Sequence, residues 1–228
     1  MLLASYVGLD TRSTMDIDAT VRSLPLTLEE ATKAVNEIIA IPLDDNVSFK
    51  IKSTSNIMEE HEYPGLRFML DSNLDKLRQT IKIDISTGDV VTPDAIEYAF
   101  PLMFENRQIP LMAYNIETIL AEKMETIISR AEANTRMRDY YDIHILMVSK
   151  FNAIDISDLK NAFKETCIKR STGNEVNNAK EILDSVMNNS IMEKQWSVYQ
   201  QSNYYVGDVS WNMVINSCQK LAELIEIY

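Results

Sequence analysis

Glycine, proline, cysteine and histidine are scarce in this 228-residue sequence, and each shortage removes a class of answer. Five glycines and six prolines are too few for a loop-dominated or collagenous chain. The two cysteines, Cys167 and Cys218, lie far apart in helix-like segments with no metal-ligand spacing, so they read as buried free thiols and not as a zinc site or a disulfide framework. The two histidines, His61 and His144, are isolated, and His144 falls inside an apolar helical pattern, where packing is the expected role. No run approaches the ~20 apolar residues of a membrane span. The apolar opening, residues 1–7, is short and has no basic flank, so no signal peptide is expected. Positive charge is also in deficit: 22 Lys and Arg stand against 34 Asp and Glu, a net charge of −12. That disfavours nucleic-acid or anionic-membrane binding through the whole surface and leaves room for a local basic strip. Reduced thiols and the lack of a span make the cytoplasm the expected compartment and membrane partners unexpected.

What is present is enough for a proper core: 46% of the residues are hydrophobic, in a length that fits one large or two small domains. Residues 2–7 can form one or two helical turns before Gly8, and residues 15–21 alternate as a strand. Thr27 caps a helix over 28–40, with Glu30 completing a capping box and Pro42 ending it. Strand patterns follow at 47–53, 66–71, 79–86, 96–102 and 108–113, with a turn at Thr87-Gly88-Asp89. After Tyr114 the character changes. Asn115 caps a helix over 116–130; further helices are expected over 138–150, from the Asp155 cap to about 169, and over 175–187, 191–200 and 209–227. The expectation is an α+β protein: a mixed-sheet domain over 1–114 and an α-helical domain over 115–228 that completes the active-site cleft.

The charged residues follow a fixed order. Asp16 and Asp18 are two apart in a strand, so both carboxylates point to one face. Aspartate is a poor strand former, and two like charges side by side need a cation or a basic neighbour; the plainer alternative is a solvated face balanced by Arg12 or Arg22. In Lys82-Ile83-Asp84-Ile85 the isoleucines take one face, Lys82 and Asp84 the other. If the strands pair, Asp84 joins Asp16 and Asp18 as three hard oxygen donors, suited to one or two Mg²⁺ ions holding a nucleoside triphosphate. Lys82 either contacts phosphate or pairs with a neighbouring carboxylate. Lys123, Ile127 and Arg130 share a helix face, so Lys123 can reach the triphosphate with Arg130 below it. Asp139 and Asp142 are i, i+3 on the next helix. Asp139 can hold Lys123 or Arg130 in place, or act as general base on an acceptor hydroxyl; an interhelical salt-bridge network is the alternative. Arg130, Arg136 and Arg138 can form a cleft strip for a nucleic-acid backbone. Lys160, Lys164, Lys169 and Arg170 are basic residues of one helix, of which Lys160 and Lys164 read as a solvated face; Trp196, Tyr199, Tyr204, Tyr205 and Trp211 read as core between the last helices, with base-stacking platforms as the alternative.

These residues resemble a known family, the AbiEii/AbiGii nucleotidyltransferases, the toxins of abortive-infection and type IV toxin–antitoxin systems. The resemblance is carried by Asp10-Thr11-Arg12-Ser13-Thr14-Met15-Asp16-Ile17-Asp18, by Lys82-Ile83-Asp84-Ile85, and by Ala121-Glu122-Lys123 through Arg130 to Arg138-Asp139-Tyr140-Tyr141-Asp142. It implies a polymerase-β-like nucleotidyltransferase domain with a helical C-terminal half. It also implies Mg²⁺ on Asp16 and Asp18 with Asp84 as third carboxylate, Lys123 and Asp139 essential to transfer, and Lys82 in support. The implied partners are a nucleoside triphosphate, an RNA acceptor such as tRNA, and a cognate antitoxin. In the family a strand ending in Gly-Gly or Gly-Ser precedes a short helix. That helix corresponds here to residues 1–7, so the domain is expected to be N-terminally incomplete, with an exposed sheet edge that favours self-association. A second reading is a catalytically weak or inactive relative that binds nucleotide, RNA or protein. A kinase-like phosphotransferase is a third, but no glycine-rich phosphate loop is visible.

Overall fold

The computed structural model describes residues 2–8, 10–14, 16–21, 27–57, 65–87, 89–102 and 105–228. Met15, Arg22, His61 and Gly88, named above, lie outside the described residues. The elements are α1 (Leu2–Val7), β1 (Asp16–Val21), α2 (Leu28–Ile39), β2 (Val47–Ile57), β3 (Gly65–Leu74), β4 (Leu77–Thr87), β5 (Ile96–Pro101), β6 (Gln108–Ala113), α3 (Ile116–Arg130), α4 (Met137–Ser149), α5 (Ile156–Arg170), α6 (Gly173–Val176), α7 (Ala179–Met187), α8 (Ser190–Ser202) and α9 (Trp211–Leu224). The fold class is α+β, as the pattern predicts. The chain forms two compact units, residues 14–89 and residues 2–13 with 90–228.

Alternation of polarity builds the first unit. Its four strands lie in the order β1-β4-β3-β2, with β1 parallel to β4 and the other pairs antiparallel. Leu66, Phe68 and Leu70 of β3 pack with Ala31 and Val35 of α2, and Ile39, Ile51, Ile83 and Ile85 complete this small core. Residues two apart share a face, so burying Ile83 and Ile85 turns Lys82 and Asp84 away from the helix. At Gly65 the backbone comes close: an added Cβ would lie 2.9 Å from Ile57 and 3.0 Å from the Ile85 carbonyl oxygen. Thr27 caps α2 by accepting from the Glu30 amide at 3.1 Å, while the Glu30 carboxylate takes the Thr27 hydroxyl at 2.7 Å.

The second unit is a helical core to which α1 and the β5–β6 hairpin are attached. Leu120, Met124, Ile127 and Ile128 of α3, Tyr140, Ile143 and Leu146 of α4, Leu159, Leu183, Trp196, Val214 and Leu221 share one buried cluster. Asn115 and Asp155 cap α3 and α5 as expected; their side chains accept from the amides of Thr118 at 2.8 Å and of Ser157 at 2.8 Å. The helix expected over 175–187 is two pieces, α6 and α7, separated at Asn177 and Asn178, residues of low helix propensity. The last helix begins later than expected, at Trp211, because Ser210 caps it by accepting from the Met213 amide. The compact units divide after Asp89, whereas the composition changes near 114. The reason is that β5 and β6 pack with the helices: the Tyr6 and Tyr98 rings lie 4.9 Å apart, the Tyr6 hydroxyl donates to the Tyr114 carbonyl, and Asn115 Nδ2 donates to the Thr92 carbonyl at 2.7 Å.

Phe68 is fully buried beneath α2. Truncation of a buried phenylalanine removes about 3–5 kcal/mol, and Phe68→Ala is expected to lower the unfolding free energy by that amount in chemical denaturation. A loss below about 0.5 kcal/mol, the level of an ordinary surface change, would contradict its place in the core.

Candidate active site

Register assembles the acidic face of the first unit. Across the parallel pair Asp16 lies opposite Lys82 and Asp18 opposite Asp84; across β3–β4, Arg67 lies opposite Asp84. Asp16, Asp18, Arg67, Lys82 and Asp84 are therefore neighbours on the sheet face opposite α2. Arg67 grips Asp84 at two points, Nε to Oδ1 at 2.7 Å and Nη2 to Oδ2 at 2.8 Å, and this contact raises the guanidinium's pKa despite some burial. Lys82 Nζ sits 2.8 Å from Asp16 Oδ2 and 4.0 Å from Asp84 Oδ2. Asp18 is exposed, and its carboxylate makes no ion pair among the described residues. At the end of the same face, Thr20 and Ser86 each donate to Asp89 Oδ2 at 2.6 Å.

A second ionic group lies in the helical unit. Lys123 Nζ is 3.0 Å from Asp139 Oδ1 and 2.7 Å from Asp142 Oδ2. Asp142 also receives Arg12 Nε at 2.7 Å, and Arg136 Nε lies 2.9 Å from Asp139 Oδ2. The Arg136 N–H is not aimed along that line, so the contact is an ion pair and not an aligned hydrogen bond. The two aspartates are 1–2% exposed, which no carboxylate sustains ionised without partners. Burial opposes the charged form of Lys123, but Asp142 and Asp139 outweigh it and raise the ammonium's pKa. Burial likewise opposes ionisation of Asp142, and Lys123 and Arg12 outweigh it and lower the carboxyl's pKa. An ammonium has three donors; two are taken, and the Lys123 side chain keeps 17% exposure. The Tyr141 hydroxyl donates to the Thr11 carbonyl at 2.7 Å, so the segment carrying Arg12 is tied to α4 twice.

The expected residues thus fall into two groups. Asp16, Asp18, Lys82 and Asp84 come together on the sheet; Lys123, Asp139 and Asp142 come together between α3 and α4. Arg130 does not join Lys123: it is exposed at the end of α3 and makes no ion pair among the described residues, while Ile127 on the same face is buried. Its expected place beside Asp139 is taken by Arg136, three residues away on the same helix. Arg12, which with Arg22 was the counter-charge in the alternative reading of the aspartate pair, is 6% exposed and belongs to Asp142; Lys82 pairs with Asp16. Arg67 was not singled out by the sequence. The available signal was its position between the apolar residues Leu66 and Phe68, in the strand that precedes the strand of Asp84. Trp196 and Trp211 are core, as expected, and Tyr204 is exposed. His144 is packed, its Nδ1 2.8 Å from Ser217 Oγ, and burial depresses its pKa. Both cysteines are free and buried, and burial raises both thiols, Cys167 to about 11. Lys160 and Arg170 are paired, with Glu226 and with Glu125 and Glu122. No helix among the described residues is long and apolar enough to cross a membrane.

Among the described residues no three His, Cys, Asp or Glu side chains converge as a ready metal site. The sheet face nevertheless fits a hard cation in two respects. Asp16, Asp18 and Asp84 are oxygen donors of the right class in adjacent register, and the Lys82 ammonium, set between Asp16 and Asp84, occupies the place of a cation there.

Comparisons with known proteins bear on the family and the fold. The sequence profile of a family described as nucleotidyl transferase AbiEii toxin, type IV TA system, matches residues 1–214. The fold is similar to that of JHP933 from Helicobacter pylori, with TM-score 0.53 and 14% identity, over 99% of this chain and 81% of that one. It is similar, too, to an H. pylori protein named as a candidate nucleotidyltransferase, with TM-score 0.52 and 16% identity, over 99% and 85%. At these identities the likeness concerns the fold. No curated protein matches the sequence.

Breaking a buried ion pair by removing one partner costs about 3–5 kcal/mol, and Asp142→Ala is expected to destabilise the protein by that amount in denaturant titration. The pH dependence has a definite sign. Asp142 titrates below its unfolded value, so its contribution is complete above about pH 4 and is lost as pH falls through the folded-state value. Lys123 titrates above its unfolded value, so its contribution is complete below about pH 10 and is lost as pH rises through the folded-state value. The stability gap between wild type and Asp142→Ala is therefore expected to be flat across neutral pH and to narrow at both extremes. A gap that peaks or vanishes near pH 7 would contradict the network.

Proposed function

We propose, since the chain belongs to the AbiEii nucleotidyl transferase toxin family of type IV toxin–antitoxin systems, that it transfers a nucleoside monophosphate from a nucleoside triphosphate to an RNA acceptor, with tRNA the expected class. Mg²⁺ is the expected cofactor. The observation that supports this reading most is the strand register that sets Asp16, Asp18 and Asp84 on one face. Those three carboxylates would hold the ion. When bound, a divalent ion neutralises phosphate charge and activates the attacking hydroxyl.

The protein's own residues do the rest. Lys82 is assigned to the triphosphate, released from Asp16 when phosphate oxygens offer a better partner. Lys123 is assigned to the triphosphate through its remaining donor, and its charge is guaranteed by Asp139 and Asp142. With both oxygens of Asp139 facing cations, holding Lys123 in place is favoured over accepting the acceptor's proton. Arg12 is a positioning residue that acts through Asp142 on Lys123. Arg130, exposed and without an ion pair among the described residues, is assigned to acceptor phosphates. A cognate antitoxin is the expected protein partner, the cytoplasm the expected location, and phage defence by abortive infection the expected setting.

The test is a transfer assay with labelled nucleoside triphosphates, Mg²⁺ and total tRNA. Labelling is expected from the wild type and a fall of about a hundredfold or more from Asp16→Ala/Asp18→Ala and from Lys123→Ala. Labelling that survives in the double variant would sink the assignment. Nucleotide binding with no labelling of any RNA would favour the binding-module reading.

A further inference from the structure

Among the described residues two cations touch the aspartates at the β1–β4 seam, Arg67 and Lys82, and they are held differently. Arg67 is fixed to Asp84 by two parallel hydrogen bonds from a rigid fork. Lys82 makes one short contact, to Asp16 at 2.8 Å, and stands 4.0 Å from Asp84. Register accounts for its place: Lys82 is opposite Asp16 across β1–β4 and two residues from Asp84 along β4, so its side chain rises between them. An ammonium on a flexible four-carbon stem can swing away at the cost of one contact; a bidentate guanidinium cannot. Of these two, Lys82 is the exchangeable cation, and at about one-quarter exposure it has a path to solvent.

We infer that Lys82 couples divalent-cation binding to triphosphate binding at this site; the inference rests on the nucleotidyl-transfer reading above. A metal ion that takes Asp16 must displace the ammonium. With metal alone, the ammonium loses its partner and stays beside a second positive charge, so bare metal binds weakly. With a triphosphate present, the ammonium moves onto phosphate oxygens and the conflict is relieved. Metal and nucleotide therefore strengthen each other's binding, and the coupling is reciprocal. The same contact limits repulsion among Asp16, Asp18 and Asp84 before either ligand arrives.

The test is Mn²⁺ binding to the full chain, followed by the electron paramagnetic resonance signal of free Mn²⁺. Each titration is run alone and with a mixture of the four α,β-methylene nucleoside triphosphate analogues. In the wild type the analogues are expected to tighten Mn²⁺ binding about tenfold. Lys82→Met is expected to bind Mn²⁺ alone about tenfold more tightly than wild type and to lose most of the tightening by nucleotide. Lys82→Arg, which keeps the charge, is expected to retain weak binding of Mn²⁺ alone. The rise in Tm on adding Mn²⁺ without nucleotide should be larger for Lys82→Met than for wild type. Normal wild-type binding beside a Lys82→Met protein that binds Mn²⁺ alone no more tightly overturns the coupling and leaves the transfer reading standing. Absence of Mn²⁺ binding from every form, with analogues present, overturns both.

Discussion

A buried carboxylate stays ionised only among cations, and Asp142 is the point at which this protein meets that constraint. Its two partners come from places far apart in sequence: Lys123 from α3 and Arg12 from the segment that leads to β1. The pairing therefore holds three parts of the helical unit together. It also decides the state of Lys123, because an ammonium buried among apolar helices would lose its proton without Asp139 and Asp142. One network thus both ties the helices together and keeps Lys123 charged.

The sheet unit meets the same constraint with a different geometry. A strand side chain has only two directions to point, and the apolar set of β3 and β4 is committed to α2. Every charged residue of the alternate set must share the other face. Crowding three aspartates there is unfavourable, and Arg67 and Lys82 moderate it. One is bound at two points and one at a single point, which separates a structural counter-charge from an exchangeable one.

Much of this was legible beforehand. Period-two alternation named all six strands to within a few residues, because one face of each pair is apolar enough to dictate register. The caps at Thr27, Asn115 and Asp155 were readable because capping is a local interaction between neighbours in the chain. Asp16, Asp18, Lys82 and Asp84 were readable for the same reason as the strands that carry them. Arg12, Arg67 and Arg136 were assigned elsewhere or not at all. Arginine carries no periodic signal, and its partner is chosen by whichever carboxylate the fold brings within reach. The break between α6 and α7 was missed because the apolar spacing continues across Asn177 and Asn178.

The sequence by itself determined the α+β class, the order of the elements, the common face of Asp16 and Asp18 on their strand, and the family. All of these follow from local periodicity, capping, and motif order. Only the tertiary structure decided which cation meets which carboxylate: Arg12 with Asp142, Arg67 with Asp84, Arg136 with Asp139, Lys82 between Asp16 and Asp84. It also decided that the β5–β6 hairpin belongs with the helices. Coulomb attraction acts between neighbours in space, and an exposed charge has no preference for any of them until packing sets the distances.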